Sequence, residues 1–220
     1  MDVTGYCEVG KLKIHQPRLS PEKRRRQLIN ATIASLSKNG YAATTLSDIT
    51  VEAGLSTGIV NFHFETKDAL FDATLRYLVD EYREHWNAAR EQAGEVPAAQ
   101  LWAVLNCDFD RKVCTKRKLA AWGGFVGEEK TRPSYRALCG SLDAMYEEFF
   151  VSLCGRLKLE GTYRFDVRTT ALGICAMMTG LWLRLLAVPN FTTQDARDIV
   201  KEHLANIFPG HFSRQGMILN

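Results

Sequence analysis

The sequence of 220 residues has no CxxC pair among its six cysteines, Cys7, Cys107, Cys114, Cys139, Cys154 and Cys175. Scattered thiols in a chain of this size read as reduced and intracellular, which excludes a disulfide framework. No uncharged run reaches the length of a bilayer crossing. The longest uncharged stretch, Thr169–Leu183, has fifteen residues, includes Gly173, Thr179 and Gly180, and stops at Arg184. A membrane helix needs about 20 predominantly apolar residues, so this stretch predicts a buried helix. A helix that apolar must be covered on most sides, which in a small domain implies a subunit interface. The first twenty residues carry Asp2 and Glu8 and no apolar h-region, so no secretory signal is expected, and the location expected is cytoplasmic. Alternating strand segments with hairpin turn signals are missing. So are GxSxG, HExxH and a phosphate-cradling glycine loop, and Gly123-Gly124 has no strand before it. The five histidines, His15, His63, His85, His203 and His211, lie far apart. No catalytic residue, metal site or cofactor is expected.

What is present is ordinary globular composition, 46% hydrophobic and 24% charged, with a net charge of only +3. The charge is unevenly placed. Residues 11–67 hold nine Lys/Arg against four Asp/Glu, while residues 68–220 hold nineteen of each sign. One basic block near the N-terminus is the asymmetry of a small domain that meets a polyanion.

Capping signals and apolar spacing predict an all-α chain of about nine helices. Ser20 with Pro21 opens the first, and Asn39-Gly40 ends it. Thr45, with Asp48 three residues on, opens a second that Gly54 stops; Ser56 caps a short third to about His63. A long amphipathic fourth begins near Thr66-Lys67, with Phe71, Leu75, Leu78 and Tyr82 at helical spacing. Further helices are expected from about Ala98 to Asp110, over Lys116–Glu128, from Pro133 to about Lys158, over Asp166–Ala187, and from Thr192 or Thr193 to about Phe208. The divisions implied are a mobile arm over 1–19, a helix-turn-helix domain over 20–66, a helical domain over 67–210 and a tail over 211–220.

Two short helices joined by Gly54-Leu55-Ser56 form a helix-turn-helix signature. Ile49, Ala53, Ile59, Phe62 and Phe64 are expected to form its small core. Thr57, Gly58, Asn61 and His63, with Val60 in part, are left outward, small or polar as a helix in a major groove requires. Lys23, Arg24, Arg25 and Arg26 crowd the first turn of the first helix, where cations oppose the helix dipole and repel one another. An external anion such as phosphate offsets that arrangement, and Lys67 fits the same role. The expected DNA-binding set is Arg24, Arg25, Thr45, Ser47, Ser56, Thr57, Gly58, Asn61, His63 and Lys67.

These residues resemble a known family. Gly40-Tyr41, Thr44-Thr45, Asp48-Ile49, Ala53-Gly54-Leu55-Ser56, Gly58, Phe64, Lys67 and Leu70 are similar to the DNA-binding domain of the TetR family of bacterial repressors. The family most often has Tyr where this chain has Asn61. Arg24–Ile29, Ala31-Thr32, Ser56–Ile59, Phe109-Asp110, Ala121-Trp122, Phe125, Pro133 and Gly180–Arg184 are similar to its BetI-like, choline-responsive subgroup, which is expected to carry an aromatic at Val126. The resemblance implies a homodimeric repressor on near-palindromic double-stranded DNA, with a C-terminal domain that binds a small-molecule effector and dimerises through its last two helices. Aromatic faces near a carboxylate, Asp110 or Asp143, suit a quaternary ammonium. The expected ligand residues are Trp102, Phe109, Asp110, Trp122, Phe125 and Tyr146; the expected dimer residues are Gly173, Ala176, Met177, Gly180, Leu181 and Arg184. Two other readings stay open: another amphipathic metabolite or drug as effector, and a thiol or metal sensor using Cys107 and Cys114.

Overall fold

The computed structural model describes residues 19–218. Cys7 and the expected arm, apart from Leu19, lie outside the described residues. Nine helices run through the described chain: α1 Pro21–Asn39, α2 Leu46–Ala53, α3 Thr57–Phe64, α4 Lys67–Gln92, α5 Pro97–Cys107, α6 Lys116–Gly127, α7 Pro133–Gly161, α8 Val167–Ala187 and α9 Thr193–Ile207. Their starts follow local chemistry. Thr45 and Thr192 each form a reciprocal capping box, with Asp48 and Asp195 respectively, so two orphan backbone groups are satisfied at once. Pro21, Pro97 and Pro133 stand in the first turns of α1, α5 and α7, where a missing N–H costs nothing.

Two boundaries differ from the sequence expectation. The fifth helix ends at Cys107 rather than near Asp110, because the chain tightens into a turn in which Asp110 O accepts from Val113 N at 3.1 Å and Cys114 N at 2.7 Å. Cys107 and Cys114 therefore share no helix face. Both are buried, and burial pushes the Cys114 thiol up to about 11 and Cys107 higher still. The second difference is in the tail. Phe212–Ser213 and Gly216–Met217 pair as a small antiparallel hairpin, and Phe212 is buried beneath α9. Two-residue strands are too short to show as alternation in a sequence.

The buried side chains form two clusters. One joins α1, α2 and α3 to the first half of α4 through Leu70, Phe71, Leu75 and Leu78, and takes in Ala121, Phe125, Tyr135 and Cys139 from α6 and α7. The other gathers α5, the second half of α7, α8, α9 and the hairpin around Trp86 of α4. The long α4 thus belongs to both cores. Val167–Ala187, α8, is long and apolar enough to cross a membrane by composition. It instead packs one stripe, Ala171, Ile174, Met178, Leu181 and Leu185, into the second core.

Candidate nucleic-acid interface and effector cavity

Gly54 makes the turn between α2 and α3 with φ 64° and ψ 37°, the left-handed region that a side chain resists. Leu55 N donates to Thr50 O at 2.9 Å, and Gln27 Nε2 of α1 donates to Ala53 O at 2.7 Å, so α2 is clamped from both sides. On α3, Val60 and Phe64 are buried, Ile59 and His63 half-buried, and Thr57, Gly58, Asn61 and Phe62 exposed. This corrects two expectations. Phe62 is 80% exposed rather than part of the small core, and Val60, expected partly outward, is 1% exposed. The inward positions are Val60 and Phe64, one turn apart; Phe62 lies between them on the opposite side.

The basic residues are held in place. The Arg25 guanidinium donates to His63 O and sits 4.1 Å over the Phe64 ring, tying α1 to the end of α3. Arg24 Nη1 donates to Gln27 Oε1 at 2.7 Å. Arg26 turns away, onto Tyr77 and Glu81 of α4. Thr45, Ser47, Ser56 and Thr57 are exposed at the N-termini of α2 and α3, where backbone N–H groups favour an anion. The Thr45 hydroxyl is already engaged with Asp48. Ser56 has the extended backbone of a cap but no side-chain capping bond, so its hydroxyl is free of that role. Lys67 is half-buried, its Nζ 5.0 Å over the Phe71 ring.

A cavity of about 610 Å³ opens between α4, α6, α7 and α8. Tyr82, Trp122, Tyr146 and Trp182 supply its aromatic faces, and Asp108, Glu129, Asp143 and Glu147 its carboxylates. Among the described residues, no Lys, Arg or His stands on its wall. Asp108, at the end of α5, is 2% exposed. Tyr82 Oη lies 2.8 Å from its Oδ1, and Tyr146 Oη lies 2.8 Å from both carboxylate oxygens. Trp182 Nε1 donates to the Asp108 carbonyl at 3.3 Å. Burial pushes the Asp108 carboxyl up to about 7, although the two tyrosine hydroxyls favour its charged form.

Of the six expected ligand residues, Trp122 and Tyr146 reach this cavity. The other four do not. Phe125 is fully buried among Tyr41, Phe71 and Tyr135, and Phe109 lies inside the second core. Trp102 packs on the outside of that core, with Lys201 Nζ 5.9 Å from its ring. Asp110 points away from the cavity and pairs with His85 at 3.0 Å and Arg197 at 3.2 Å, joining α4 to α9. The residues missed are Asp108, Tyr82 and Trp182. In Asp108-Phe109-Asp110 the sequence offers two carboxylates two residues apart, and only the end of α5 decides which turns inward.

The expected dimer residues divide similarly. Leu181 is buried in its own subunit's core, which corrects that assignment, and Ala176 borders the cavity. Gly173 and Gly180 have open space where a Cβ would stand; Met177 is half-buried, and Arg184 is exposed, stacked 5.0 Å over Phe191. Beside them Leu183 is 59% exposed, with Leu172 and Leu186 also open to solvent.

A helix-turn-helix with a basic first helix, built onto a helical half that holds an aromatic cavity, is the architecture of a DNA-binding transcriptional regulator. Residues 28–74 match the family of bacterial regulatory proteins of tetR type, and the chain belongs to it. Within that family it is of the BetI type: residues 97–209 match the C-terminal domain of BetI-type transcriptional repressors. Two curated relatives, the HTH-type transcriptional regulators BetI of Paraburkholderia phymatum and Burkholderia thailandensis, are each 32% identical over 83% of this chain and 92% of their own. A putative transcriptional regulator of Pseudomonas aeruginosa has the same fold, with TM-score 0.72, 27% identity, and 88% of this chain and 94% of its own covered. So has a putative regulator of Saccharomonospora viridis solved in complex with choline, with TM-score 0.72, 17% identity, and 83% of this chain and 96% of its own covered.

Proposed function

We propose that this regulator is a homodimeric repressor released from a near-palindromic operator when an organic cation of the choline type enters the cavity of each subunit. The observation that carries the reading is the wall itself: four carboxylates and four aromatic faces with no basic side chain. A methylated ammonium donates no hydrogen bond, so its recognition rests on aromatic faces and a nearby anion. Each desolvated face contributes about 0.5–2 kcal/mol. The choline-bound regulator of Saccharomonospora viridis has this fold and supports the same chemistry.

Two subunits each place α3 in a major groove, with Arg24, Arg25, Lys67 and the starts of α2 and α3 on phosphate. The faces of α8 and α9 around Gly173, Met177, Gly180 and Arg184 meet the second copy. The effector touches Tyr82 of α4 and Trp122 of α6. Both helices lead to the reading head: α4 enters its core through Leu70 and Phe71, α6 lends it Ala121 and Phe125, and the Lys118–Glu81 ion pair ties the two helices together. The start of α7 adds the Arg132–Asp68 bond at 3.1 Å and the Tyr41–Tyr135 hydroxyl contact at 2.9 Å. Release requires that the cation bind more tightly to the arrangement that does not fit the operator.

Calorimetry with choline, betaine aldehyde and glycine betaine tests the reading. Choline and betaine aldehyde are expected to bind, and glycine betaine more weakly, because its own carboxylate meets four others. Trp122→Ala should cost effector affinity far more than it costs operator affinity of the empty protein. No heat from any of the three at millimolar concentration, with the protein folded, would reject the cationic effector and leave the DNA-binding assignment standing.

A further inference from the structure

Phe62 is a phenylalanine with no place in the fold. It is 80% exposed in the middle of an eight-residue helix. Its ring meets one other aromatic ring among the described residues, that of His63, edge-on at 5.1 Å. Thr57, Gly58, Asn61 and Phe62 stand at i, i+1, i+4 and i+5, which puts all four on one face of α3, and all four are exposed. The opposite face, Val60 and Phe64, is fixed in the core, and Arg25 pins the end of the helix through His63 O. The rotation of α3 is therefore set, and the outward face cannot turn Phe62 inward.

Arg25 reaches the end of α3, and Arg24 beside it in α1 and Lys67 at the start of α4, three residues past α3, add positive charge that suits a duplex backbone. In the major groove the base edges are donors and acceptors with one exception, the 5-methyl group of thymine, which takes apolar contact. We propose that Phe62 reads a thymine methyl in each half-site, beside the base edge that Asn61 addresses. Ring and methyl leave water together; cytosine, adenine and guanine offer no methyl there and leave the ring against polar edges. The inference rests on the DNA-binding role of the chain and is independent of the effector.

The full-length protein first selects its site from a randomised duplex library. Each thymine of the half-sites is then replaced by uracil, which pairs identically and lacks only the methyl. One thymine per half-site is expected to lose about fourfold in affinity on replacement, the equivalent of one buried methyl-sized group. Phe62→Ala should bind the thymine and uracil duplexes at that position equally, with little change in melting temperature because the side chain is exposed and its ring meets, among the described aromatic rings, only that of His63. Uracil substitutions that cost parent and variant the same would overturn the proposal, as would selected half-sites without thymine. Failure to select any site would overturn the DNA-binding assignment and this proposal with it.

Discussion

At the scale of single residues, Asp108 sets the most direct expectation. Its carboxyl ionises near 7 in the folded chain rather than at the ordinary 3.8, because burial outweighs the two tyrosine hydroxyls. The sign is that of a raised acid. The folded state holds the proton more tightly than the unfolded state, so the empty protein loses stability as pH rises from 3.8 to about 7 and changes little above that. A cationic effector needs the ionised form. Its affinity should therefore be about tenfold weaker at pH 6 than at pH 8, following the ionised fraction either side of the midpoint. Asp108→Asn should flatten that profile in calorimetry; a profile unchanged by the substitution would remove Asp108 from the binding site. The sequence did not single out this residue. Asp108 and Asp110 are equivalent in composition and differ only in where α5 ends, which is settled by a turn between Asp110 and Cys114. Phe62 departs from expectation for a related reason: size and apolarity argue for burial, while the register of an eight-residue helix, fixed by Val60 and Phe64, argues against it.

At the scale of elements more is legible in the sequence, because caps and apolar spacing are local. Ser20-Pro21, Thr45 with Asp48, Thr66 and Thr192 all mark real helix starts. The C-terminal hairpin escaped because its pairing depends on Phe212 finding the underside of α9. The turn at Gly54 carries a clear expectation. Gly54→Ala puts a Cβ into the left-handed region at a place with open space around it, so the cost is backbone strain alone, roughly 1–2 kcal/mol. Melting should fall by about 2–4 °C for each kcal/mol lost in a chain of this size. No fall in calorimetry would mean that the turn relaxes. The contact between Tyr41 and Tyr135 carries another. Tyr135→Phe removes the 2.9 Å hydroxyl link between the α1–α2 connection and α7 while keeping the ring against Phe125. Effector affinity of the free protein should hold, and the effector concentration needed to release operator DNA should rise. Unchanged release in fluorescence anisotropy would show that the link carries none of the coupling.

At the scale of the whole molecule, the proposed dimer face on the outside of α8 carries an expectation about assembly. Gly180 has nothing within 4 Å of an added Cβ in one subunit, so Gly180→Arg should leave helical content intact. A second copy packed closely on that face would not tolerate it. Sedimentation equilibrium should then show a monomer and operator affinity should collapse, since two reading heads are needed for two half-sites; a dimer that persists would move the interface elsewhere.

The sharing of α4 between both cores, with Ala121, Phe125 and Tyr135 lent by α6 and α7 to the first, bears on how such a regulator can be rebuilt. The reading head is not a cassette. A graft cut at residue 66 would strip Leu70, Phe71 and Phe125 from beneath Ile33, Leu36 and Ile49, leaving an apolar floor without a ceiling. Exchanging operator specificity between relatives therefore favours substitutions on the outward face of α3 over transplantation of whole N-terminal segments. Any chimera that does transplant them has to bring matching residues from three helices far apart in the chain.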